Sequence, residues 1–350
     1  MIASAIANVL RGEGLISAAR RARERVDEAL HGTFVNDADA AILNVSATRV
    51  VPRLGGVPIQ LLNRLREERK LRSVVLLEAG TSTFEERVRA SGARAIHIEG
   101  THAVPLEAVL WLMNDGVRVV VSVHDFTLMD DRERARQLLA RADATIFPSR
   151  FLADEYRQLA DFRADVIEPG VPPAQPALRA ERRAIAFAGA VKPHKGAQLL
   201  PSIVGDAPCH VFGGGDADLL RDLRRRANFE ILGYYRAGEL PSLLAEHGVG
   251  LVVLPSIVPE SYSLTLSEVW QAGAVAAPFD HGAIAQRIRE HGGGVLAPLA
   301  SGAAGLRAIV EQWLRGEIGE AAPQMIATSE QAARAHLALY ERLGLDSASR

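Results

Sequence analysis

The sequence predicts an α/β protein with two doubly wound parallel sheets, and three observations lead to this class. Short runs rich in Val, Ile and Leu alternate with helical segments from residue 40 onward, which is typical of parallel strands that helices cover on both faces. A proline-rich stretch, PGVPPAQPALRAERR, interrupts this alternation near the middle of the chain, and the alternation then restarts. The length of 350 residues accommodates two domains of ordinary size.

The first series of elements precedes the proline-rich stretch. Its predicted strands are AAILNVS, SVVLLEAG, AIHIEG, VRVVVSVHD, ATIFPS and ADVIEPG. The helices predicted between them are PIQLLNRLREERK, FEERVRASG, PLEAVLWLMNDG, RERARQLLARA and RFLADEYRQLADF. Such regular alternation of strand and helix argues for one parallel sheet covered by helices.

The second series follows the proline-rich stretch. Its predicted strands are AIAFAGA, CHVFGGG, FEILGYY, VGLVVLPS, AVAAPF and GGVLAP. Its predicted helices are KGAQLLPSIV, ADLLRDLRRR, AGELPSLLAEH, LTLSEVWQAG and GAIAQRIREHG, and SEQAARAHLALYERLG forms a last helix. The Gly-rich turn FGGGDAD lacks a third glycine at the spacing of the dinucleotide-binding fingerprint, so it does not predict a dinucleotide site.

These patterns set the predicted domain boundaries. The parts are a helical extension at 1–36, a first domain at 37–170, a second domain at 171–328 and a C-terminal helix at 329–350. Because ligands of doubly wound sheets bind at the carboxyl ends of the strands, we expect loops of both domains to face a central cleft.

The extension carries a cluster of basic residues. The segment ISAARRARERVDEAL has helical spacing and contains Arg20, Arg21, Arg23 and Arg25. These arginines form either a solvated helix face or a surface attracted to anionic lipid or an acidic partner.

Composition excludes several classes of protein. The formal net charge of -2 argues against a nucleic-acid-binding protein with a global basic field. A lone Cys209 excludes an internal disulfide and a cysteine-based zinc cluster, and suits a reducing compartment. No uninterrupted apolar run reaches the roughly 18 residues that a membrane helix needs, and the N-terminus is a poor signal peptide. We therefore expect a cytoplasmic protein that can also bind peripherally to the inner face of the membrane.

The stretch PESYSLTLSE carries two glutamates, Glu260 and Glu268, where a strand ends and a helix begins. In a structural interpretation, Thr265 is the N-cap and forms a capping box with Glu268, while Glu260 is an ordinary loop acid. In a functional interpretation, the amides of Ser263, Leu264 and Thr265 lie at the positive end of the helix dipole and seat a phosphate. The two acids then accept hydrogen bonds from sugar hydroxyls. Local sequence leaves both interpretations open.

Two glycine-containing turns are further candidates for ligand contact. In GAVKPHKG, Lys195 can offer a point charge to a phosphate and Gly196 lets a backbone approach closely, although a solvated lysine explains the turn equally well. The turn is not a P-loop, because the Gly-x4-Gly-Lys-Ser/Thr spacing is absent. In the first domain, Gly55 and Gly56 are either a plain tight turn or a place where a ligand approaches the backbone.

Four further polar residues come from the first domain. The segment VHDF ends its strongest strand, so His124 and Asp125 fall at a carboxyl end, either in the predicted cleft or as a buried His–Asp pair. The isolated His97 and His102 are expected to have structural or surface roles. Neither Gly-x-Ser-x-Gly nor His-Glu-x-x-His occurs, which disfavours a metal hydrolase, and we predict no metal site.

Taken in order, these motifs resemble a known family. The Gly-Gly loop, VHDF, ATIFPSRFLADEY, VIEPGVP, FAGAVKPHKG, FEILGYY and LPSIVPESYSLTLSEVWQAG are similar to the retaining glycosyltransferases of family 4, which have the GT-B fold. The resemblance runs from about residue 40 to 345. Its most specific part is the E-x7-E motif, matched by Glu260 and Glu268. PESYSLTLSE followed by FDHGAIAQRI is especially similar to bacterial members that build surface polysaccharides.

The resemblance implies a fold and a function for each part of the chain. The fold is GT-B, with two Rossmann-like domains facing a cleft, the first on the acceptor side and the second binding the nucleotide-sugar. The last helix resembles the C-terminal helix of the family, which crosses back onto the first domain. The reaction retains anomeric configuration, needs no dedicated metal and relies on positioning and electrostatic stabilisation.

The resemblance also implies roles for single residues. Glu260 would hold hydroxyls of the donor sugar, and Glu268 the ribose of the nucleotide. Lys195 and the amides around Ser263, Leu264 and Thr265 would neutralise the departing diphosphate. His124 would touch the donor sugar from the first domain. Gly55 and Gly56 would let the leaving phosphates and the acceptor approach.

Two positions depart from the family pattern. The family often has arginine directly after the first glycine of the Gly-x5-Lys-Gly turn, where this chain has Ala190, so Lys192 is the candidate to supply that charge to the donor. In AQRI, Gln286 stands where glutamate is common.

The resulting hypothesis is a glycosyltransferase that moves a sugar from a nucleotide diphosphate sugar to a glycan or lipid-linked acceptor in bacterial surface-polysaccharide biosynthesis. It needs no cofactor besides the donor substrate and binds no nucleic acid, and its other expected partners are the membrane or proteins of a synthase complex. A catalytically silent GT-B module that binds glycan or scaffolds such a complex is the alternative. A sugar-nucleotide epimerase or a phosphorylase is a third hypothesis.

Overall fold

A computed structural model of the protein describes residues 36–38, 40–46, 56–78, 84–100, 105–173, 182–321, 324 and 326–345. The arginine cluster of the predicted extension and the candidates Gly55 and His102 lie outside these residues. The described residues form two compact units. The first contains the residues up to Val171 and those from Ala327 onward, and the second runs from Pro172 to Ile326.

A six-stranded parallel sheet forms the centre of the first unit. Its strands are β1 (Ile42–Ser46), β2 (Val75–Glu78), β3 (Ala95–Glu99), β4 (Arg118–Ser122), β5 (Ala144–Phe147) and β6 (Ala164–Val166). Their order across the sheet is β2-β1-β3-β4-β5-β6, and every neighbouring pair is parallel. Strands β1 and β3 are buried along their whole length, as continuous apolar runs predict.

Helices connect these strands. They are α1 (Gly56–Glu68), α2 (Phe84–Ala90), α3 (Leu106–Asn114), α4 (Arg132–Arg141) and α5 (Arg150–Arg157), and the 3-10 turn Thr127–Asp130 follows β4. Asp131 and Ser149 cap the N-termini of α4 and α5 by accepting hydrogen bonds from amides three residues on. Such side-chain caps fix where a helix begins without any contact from elsewhere in the chain.

The C-terminal helix α12 (Ser329–Arg342) belongs to the first unit. A complete capping box formed by Thr328 and Gln331 starts it. It packs against α1, and its Tyr340 lies in one apolar cluster with Ile42 of β1. The chain therefore returns to its first sheet after completing the second unit, as the resemblance implied.

A five-stranded parallel sheet forms the centre of the second unit. Its strands are β7 (Ala184–Ala188), β8 (Cys209–Phe212), β9 (Phe229–Gly233), β10 (Val249–Leu254) and β11 (Val275–Pro278). They lie in the order β11-β10-β7-β8-β9, with every neighbouring pair parallel. Two Rossmann-like units, each built on a parallel sheet, confirm the predicted fold class.

The helices of the second unit surround this sheet. They are α6 (Leu200–Val204), α7 (Ala217–Arg224), α8 (Leu240–Glu246), α9 (Leu264–Gln271), α10 (Gly282–His291) and α11 (Gly302–Leu314). Two 3-10 turns, Pro193–Lys195 and Ala197–Leu199, precede α6, so the helix predicted from Lys195 onward begins only at Leu200. Gly196 separates them with a left-handed φ of 71°, which breaks the regular helical path.

Two sequence predictions in this unit need correction. The segment GGVLAP is not a strand. It makes only two isolated bridges, one between Gly294 and Ala276 of β11 and one between Ala297 and Phe279, the residue that follows β11. In addition, α11 was not predicted, although its buried residues follow helical spacing. Those residues are Leu306, Ile309, Val310 and Trp313.

The Gly-rich turn after β8 has a packing role. A Cβ at Gly213 would lie 1.8 Å from the carbonyl oxygen of Gly189, and one at Gly215 would lie 2.3 Å from that of Val191. The amide of Val191 donates to the carbonyl of Gly214 at 2.9 Å. These glycines therefore let the loop after β8 pass directly along the loop after β7.

Among the described residues, we find no helix whose length and apolar character would allow it to cross a membrane.

The unpredicted helix α11 provides a test of the second core. Leu306 is fully buried, whereas Leu314 on the same helix is 53% exposed. We expect Leu306→Ala to lower the free energy of unfolding by about 2–5 kcal/mol, because it leaves a cavity. Leu314→Ala should change it by less than about 0.5 kcal/mol. Urea denaturation of both variants measures the difference, and equal losses would contradict the placement of α11.

Candidate functional site

The candidate residues of the second unit lie after two adjacent strands. β7 and β10 are parallel neighbours, so the loops that follow their carboxyl ends lie side by side. The loop after β7 carries Lys195, and the loop after β10 carries Glu260 and leads into α9. Ligands of open α/β sheets bind at this edge.

Lys195 and Glu260 form an ion pair. The Nζ atom of Lys195 donates to Oε1 of Glu260 at 2.5 Å, and the two side chains are 30% and 18% exposed. The ammonium group of Lys195 and the carboxylate of Glu260 thus meet in a half-buried position, where each can contact a ligand.

Close backbone packing holds these two loops together. A Cβ at Gly196 would lie 1.9 Å from the carbonyl oxygen of Pro255, so only glycine fits there. The amide of Ile257 donates to the carbonyl of His194 at 3.0 Å, and the Ser256 hydroxyl donates to the same carbonyl at 3.3 Å. The separation of Lys195 and Glu260 is therefore set by the backbones that carry them.

The start of α10 fixes the backbone of Glu260. The amide of Ala283 donates to the Glu260 carbonyl at 2.9 Å. Gly282 has a left-handed φ of 68°, and a Cβ there would lie 2.8 Å from the Glu260 amide nitrogen. His281 lies 2.7 Å through Nε2 from the carbonyl oxygen of Ser256. The loop after β10 is thus held between two other loops of the same unit.

Ser263, and not Thr265, is the N-cap of α9. Its hydroxyl accepts from the amide of Leu266 at 3.3 Å, and its φ of 75° is left-handed. The capping box proposed for Thr265 and Glu268 is therefore wrong. Helix geometry leaves the amides of Leu264 and Thr265 without a carbonyl partner inside the helix, because they belong to its first turn.

Arg287 of α10 anchors this helix start. Its guanidinium donates to the carbonyl of Ser263 at 3.0 Å and to that of Tyr262 at 3.3 Å. It also donates to the hydroxyl of Ser267 at 2.8 Å, and it lies 3.9 Å from the centre of the Tyr262 ring. Only 3% of Arg287 is exposed. A left-handed serine costs conformational energy, and these contacts hold it in place.

Glu268 occupies a different environment from Glu260. Its Oε1 accepts from the amide of Gly238 at 2.8 Å, and the residue is buried. Burial raises its pKa to about 7, although the hydrogen bond from Gly238 opposes the shift. The hydroxyl of Tyr235, which bonds to Thr265, lies in the same buried region, and burial together with the charge of Glu268 raises its pKa.

The turn after β7 adds further charge. Lys192 is exposed, and its carbonyl accepts from the amide of Lys195 at 3.1 Å. Burial together with the charges of Lys195 and Lys192 lowers the pKa of His194 between them. A neutral His194 leaves two lysines as the cations of this turn.

In the first unit, His124 follows β4 and has two side-chain partners. Its Nδ1 lies 2.7 Å from Nε2 of Gln60, and its Nε2 lies 2.9 Å from Oε2 of Glu99. Because the Gln60 amide nitrogen can only donate, Nδ1 accepts and Nε2 carries the proton that is donated to Glu99. Asp125 is exposed and accepts from the amide of Thr127, so the proposed His–Asp pair is wrong.

Glu99 connects His124 to a buried polar cluster. Its Oε1 lies 2.6 Å from Arg64, and although burial opposes it, Arg64 keeps the Glu99 pKa well below its usual range. His97 lies in the same cluster, 2.7 Å through Nε2 from the Ser122 hydroxyl, and burial lowers its pKa to about 3. The Tyr340 hydroxyl of α12 reaches its other nitrogen at 2.5 Å. This network ties the C-terminal helix to the strand that precedes His124.

A small pocket lies next to His124, within the first unit. Gln60, Arg64 and Glu99 line its polar side, and His336 of α12 contributes to its wall. Gly56 is the first residue of α1 and lies about one helical turn before Gln60 in the chain.

The structure thus places Lys195, Glu260, Ser263, Leu264, Thr265 and Glu268 around one edge of the second sheet, and His124 at the carboxyl end of a strand in the first. Sequence reasoning missed Arg287 and Glu99. Arg287 follows Ile284 by three positions and Ala283 by four, so helical periodicity places it on the same buried face of α10 as these two residues. A buried arginine needs hydrogen-bond acceptors there. Nothing in the sequence marks Glu99.

Comparison with known proteins gives one match to a family model. Residues 45–175 match the sequence model of Glycosyltransferase Family 4. A search of curated protein sequences gives no significant match.

Solved structures resemble the chain over most of its length. HepE of Anabaena in complex with UDP and glucose has a TM-score of 0.60 and 16% identity, over 86% of this chain and 95% of HepE. Sucrose-phosphate synthase of Thermosynechococcus elongatus has a TM-score of 0.65 and 14% identity, over 87% of this chain and all (100%) of that one. AviGT4, a glycosyltransferase involved in avilamycin A biosynthesis, has a TM-score of 0.59 and 15% identity, over 88% and 98%.

The architecture and these structural similarities show that the chain has the GT-B fold, and its residues 45–175 resemble Glycosyltransferase Family 4. The resemblance to family 4 is confirmed over residues 45–175, which run from the end of β1 through β6 and include His124 and Glu99.

The raised pKa of Glu268 predicts a pH-dependent stability. The folded protein holds this proton up to about pH 7, whereas the unfolded chain releases it near the ordinary value of 4.5. The free energy of unfolding of the wild type, relative to that of Glu268→Gln, should therefore fall by about 3 kcal/mol between these pH values and stay constant above. Urea unfolding of both proteins across this range measures the difference, and parallel profiles would contradict the assignment.

Proposed function

We propose that the protein is a retaining glycosyltransferase that binds a nucleotide diphosphate sugar in its second unit and transfers the sugar to a glycan or lipid-linked acceptor. The observation that carries this proposal is the contact of Lys195 with Glu260 beside the open amides at the start of α9. A cation, an acid and helix amides at one strand edge match the phosphate and the hydroxyl groups of such a donor.

The diphosphate has two kinds of partner in this arrangement. The amides of Leu264 and Thr265 point out of the helix N-terminus, where the dipole favours negative charge. Lys195 supplies a positive charge from the neighbouring loop. The exposed Lys192 provides a second positive charge, which compensates for the alanine at position 190, where the family often has arginine. These groups stabilise the charge that develops on the leaving diphosphate.

Glu260 accepts hydrogen bonds from hydroxyls of the donor sugar in this proposal. Its carboxylate contacts Lys195 in the protein alone, so a bound donor replaces part of that ion pair with hydrogen bonds from the sugar and a contact from Lys195 to the diphosphate. The carboxylate also places negative charge where positive charge develops at the anomeric carbon.

Glu268 binds the nucleotide ribose in this proposal. The Gly238 amide holds its Oε1, and Oε2 accepts from ribose hydroxyls. Donors that hydrogen-bond to the ionised carboxylate lower its pKa, so nucleotide binding should release the proton that burial retains.

His124 contributes to sugar recognition through its fixed imidazole. Gln60 and Glu99 hold the ring in the Nε2–H form, so a ligand meets it in one orientation. A sugar hydroxyl that binds the ring replaces the Gln60 amide as the donor to Nδ1.

For the chemical step we propose front-face substitution. The bond from the anomeric carbon to the diphosphate oxygen breaks, the acceptor oxygen bonds to the same face of that carbon, and the leaving phosphate oxygen takes the acceptor proton. Lys195 and the α9 amides stabilise the diphosphate, so the step needs no dedicated metal.

The neighbours suggest the first donors to test. HepE was crystallised with UDP and glucose, with UDP and with UDP-glucose, which favours a uridine nucleotide. We infer a role in polysaccharide biosynthesis at the inner face of the membrane from the similarity of PESYSLTLSE and FDHGAIAQRI to enzymes of that process.

The ion pair provides the direct mutational test. We expect Lys195→Ala and Glu260→Ala each to lower the rate of sugar transfer by at least about 100-fold, because each removes charge stabilisation at the reacting groups. The rate is measured with a donor that the wild type uses, and circular dichroism checks the fold.

A second ion pair of the same unit supplies the control. Arg307 and Glu311 of α11 are 3.0 Å apart and half exposed. Arg307→Ala and Glu311→Ala should leave the rate unchanged. Full activity of both Lys195 and Glu260 variants would overturn the assigned site.

The alternative, a silent glycan-binding or scaffolding GT-B module, is favoured by Ala190. Melting temperatures with UDP, GDP, ADP and dTDP distinguish the two functions. A nucleotide at 100 times its dissociation constant adds about 2.7 kcal/mol to the free energy of unfolding. An upward shift with at least one nucleotide supports the transferase, and no shift with any supports the silent module.

A further inference from the structure

A cluster of two histidines and a glutamate lies in the second unit, away from the candidate sugar-transfer residues. His210 belongs to β8, Glu230 to β9, and His247 directly follows α8. One possible ligand atom from each side chain lies within 4.8 Å of the other two. Neither the sequence motifs nor the proposed transfer reaction accounts for this group.

The topology of the sheet creates the cluster. His210 and Glu230 are directly paired residues of two parallel strands, so their side chains leave the same face of the sheet. His247 reaches that face from the end of α8, with its ring centre 5.0 Å from that of His210 and 5.6 Å from that of Phe212. The backbone therefore brings the three side chains together from three separate elements.

The chemistry of the cluster suits a metal ion. Nδ1 of His210 is shielded from solvent and lies 2.9 Å from Oε2 of Glu230. A neutral imidazole is the form that binds metals, and a carboxylate is a common third ligand.

We propose that His210, Glu230 and His247 form a binding site for a divalent transition-metal ion of the zinc class. With bonds of 2.0–2.2 Å, tetrahedral ligand atoms are about 3.3–3.6 Å apart. Glu230 is the ligand best able to adjust to this spacing, because its side chain is 61% exposed. Water fills the fourth position.

Cys209 does not belong to this site. It precedes His210 in the strand, so its side chain points to the opposite face of the sheet. It is buried, and burial raises the pKa of its thiol to about 12, so it stays protonated.

The position of the site indicates a structural role. His247 precedes β10, whereas Glu260 follows it, and this strand of 6 residues spans about 20 Å. A metal there cannot reach the sugar donor. Instead it ties the end of α8 to β8 and β9, while the turn at the start of α8 contains Gly238, whose amide holds Glu268.

The test measures metal binding by the full-length, tag-free protein. We expect one Zn²⁺ per chain by elemental analysis after gel filtration, with a raised melting temperature. The double variant His210→Ala/His247→Ala should bind Zn²⁺ at least about tenfold more weakly, by titration against a chromophoric chelator. Because Glu230 is exposed, Glu230→Gln should remain folded and show the same loss.

His291 supplies the matched control. It also lies near a glutamate, with Nε2 3.9 Å from Oε2 of Glu290. His291→Ala should keep the affinity of the wild type. Equal zinc affinity of the wild type and the folded Glu230→Gln and double variants would overturn the site, as would a wild type that binds no Zn²⁺. Neither result bears on sugar transfer, which Lys195 and Glu260 test separately.

Discussion

A buried guanidinium organises the start of α9, on which the proposed donor site depends. Arg287 donates to the backbone of Tyr262 and Ser263 and is 3% exposed. The N–H groups of a buried arginine need hydrogen-bond acceptors close by, and here the acceptors are the backbone carbonyls of a tight turn. Holding those carbonyls inward turns the first amides of the helix outward. The proposed phosphate site is therefore a consequence of the packing behind it.

The two glutamates of PESYSLTLSE acquire different properties from their surroundings. Glu260 is partly exposed and paired with Lys195, so it is available to a ligand. Glu268 is buried beside the Gly238 amide, and burial raises its pKa to about 7. In the proposed reaction, Glu260 acts on the charge that develops at the anomeric carbon, and Glu268 holds the ribose hydroxyls.

The sequence predicted the fold well because parallel strands are continuous apolar runs, and the carboxyl ends of such strands locate ligand sites. It predicted Thr265 instead of Ser263 as the N-cap, since serine and threonine both cap helices and the left-handed φ of Ser263 is held by Arg287, 24 positions away. The partner of His124 was missed for the same reason, because Glu99 reaches it only through the neighbouring strand. Local sequence patterns predict the helices and strands, whereas contacts between distant helices, strands and loops determine the geometry of the site.

Hydrogen exchange with and without nucleotide tests the central claim most directly, because it reports on the backbone of the site itself. We predict that a bound nucleoside diphosphate slows exchange in the turn at 192–197 and in the segment 259–268. Exchange in α11 (Gly302–Leu314) should stay unchanged. Protection confined to other segments, or none with any of the four nucleotides, would contradict a donor site built on Lys195, Glu260 and the start of α9.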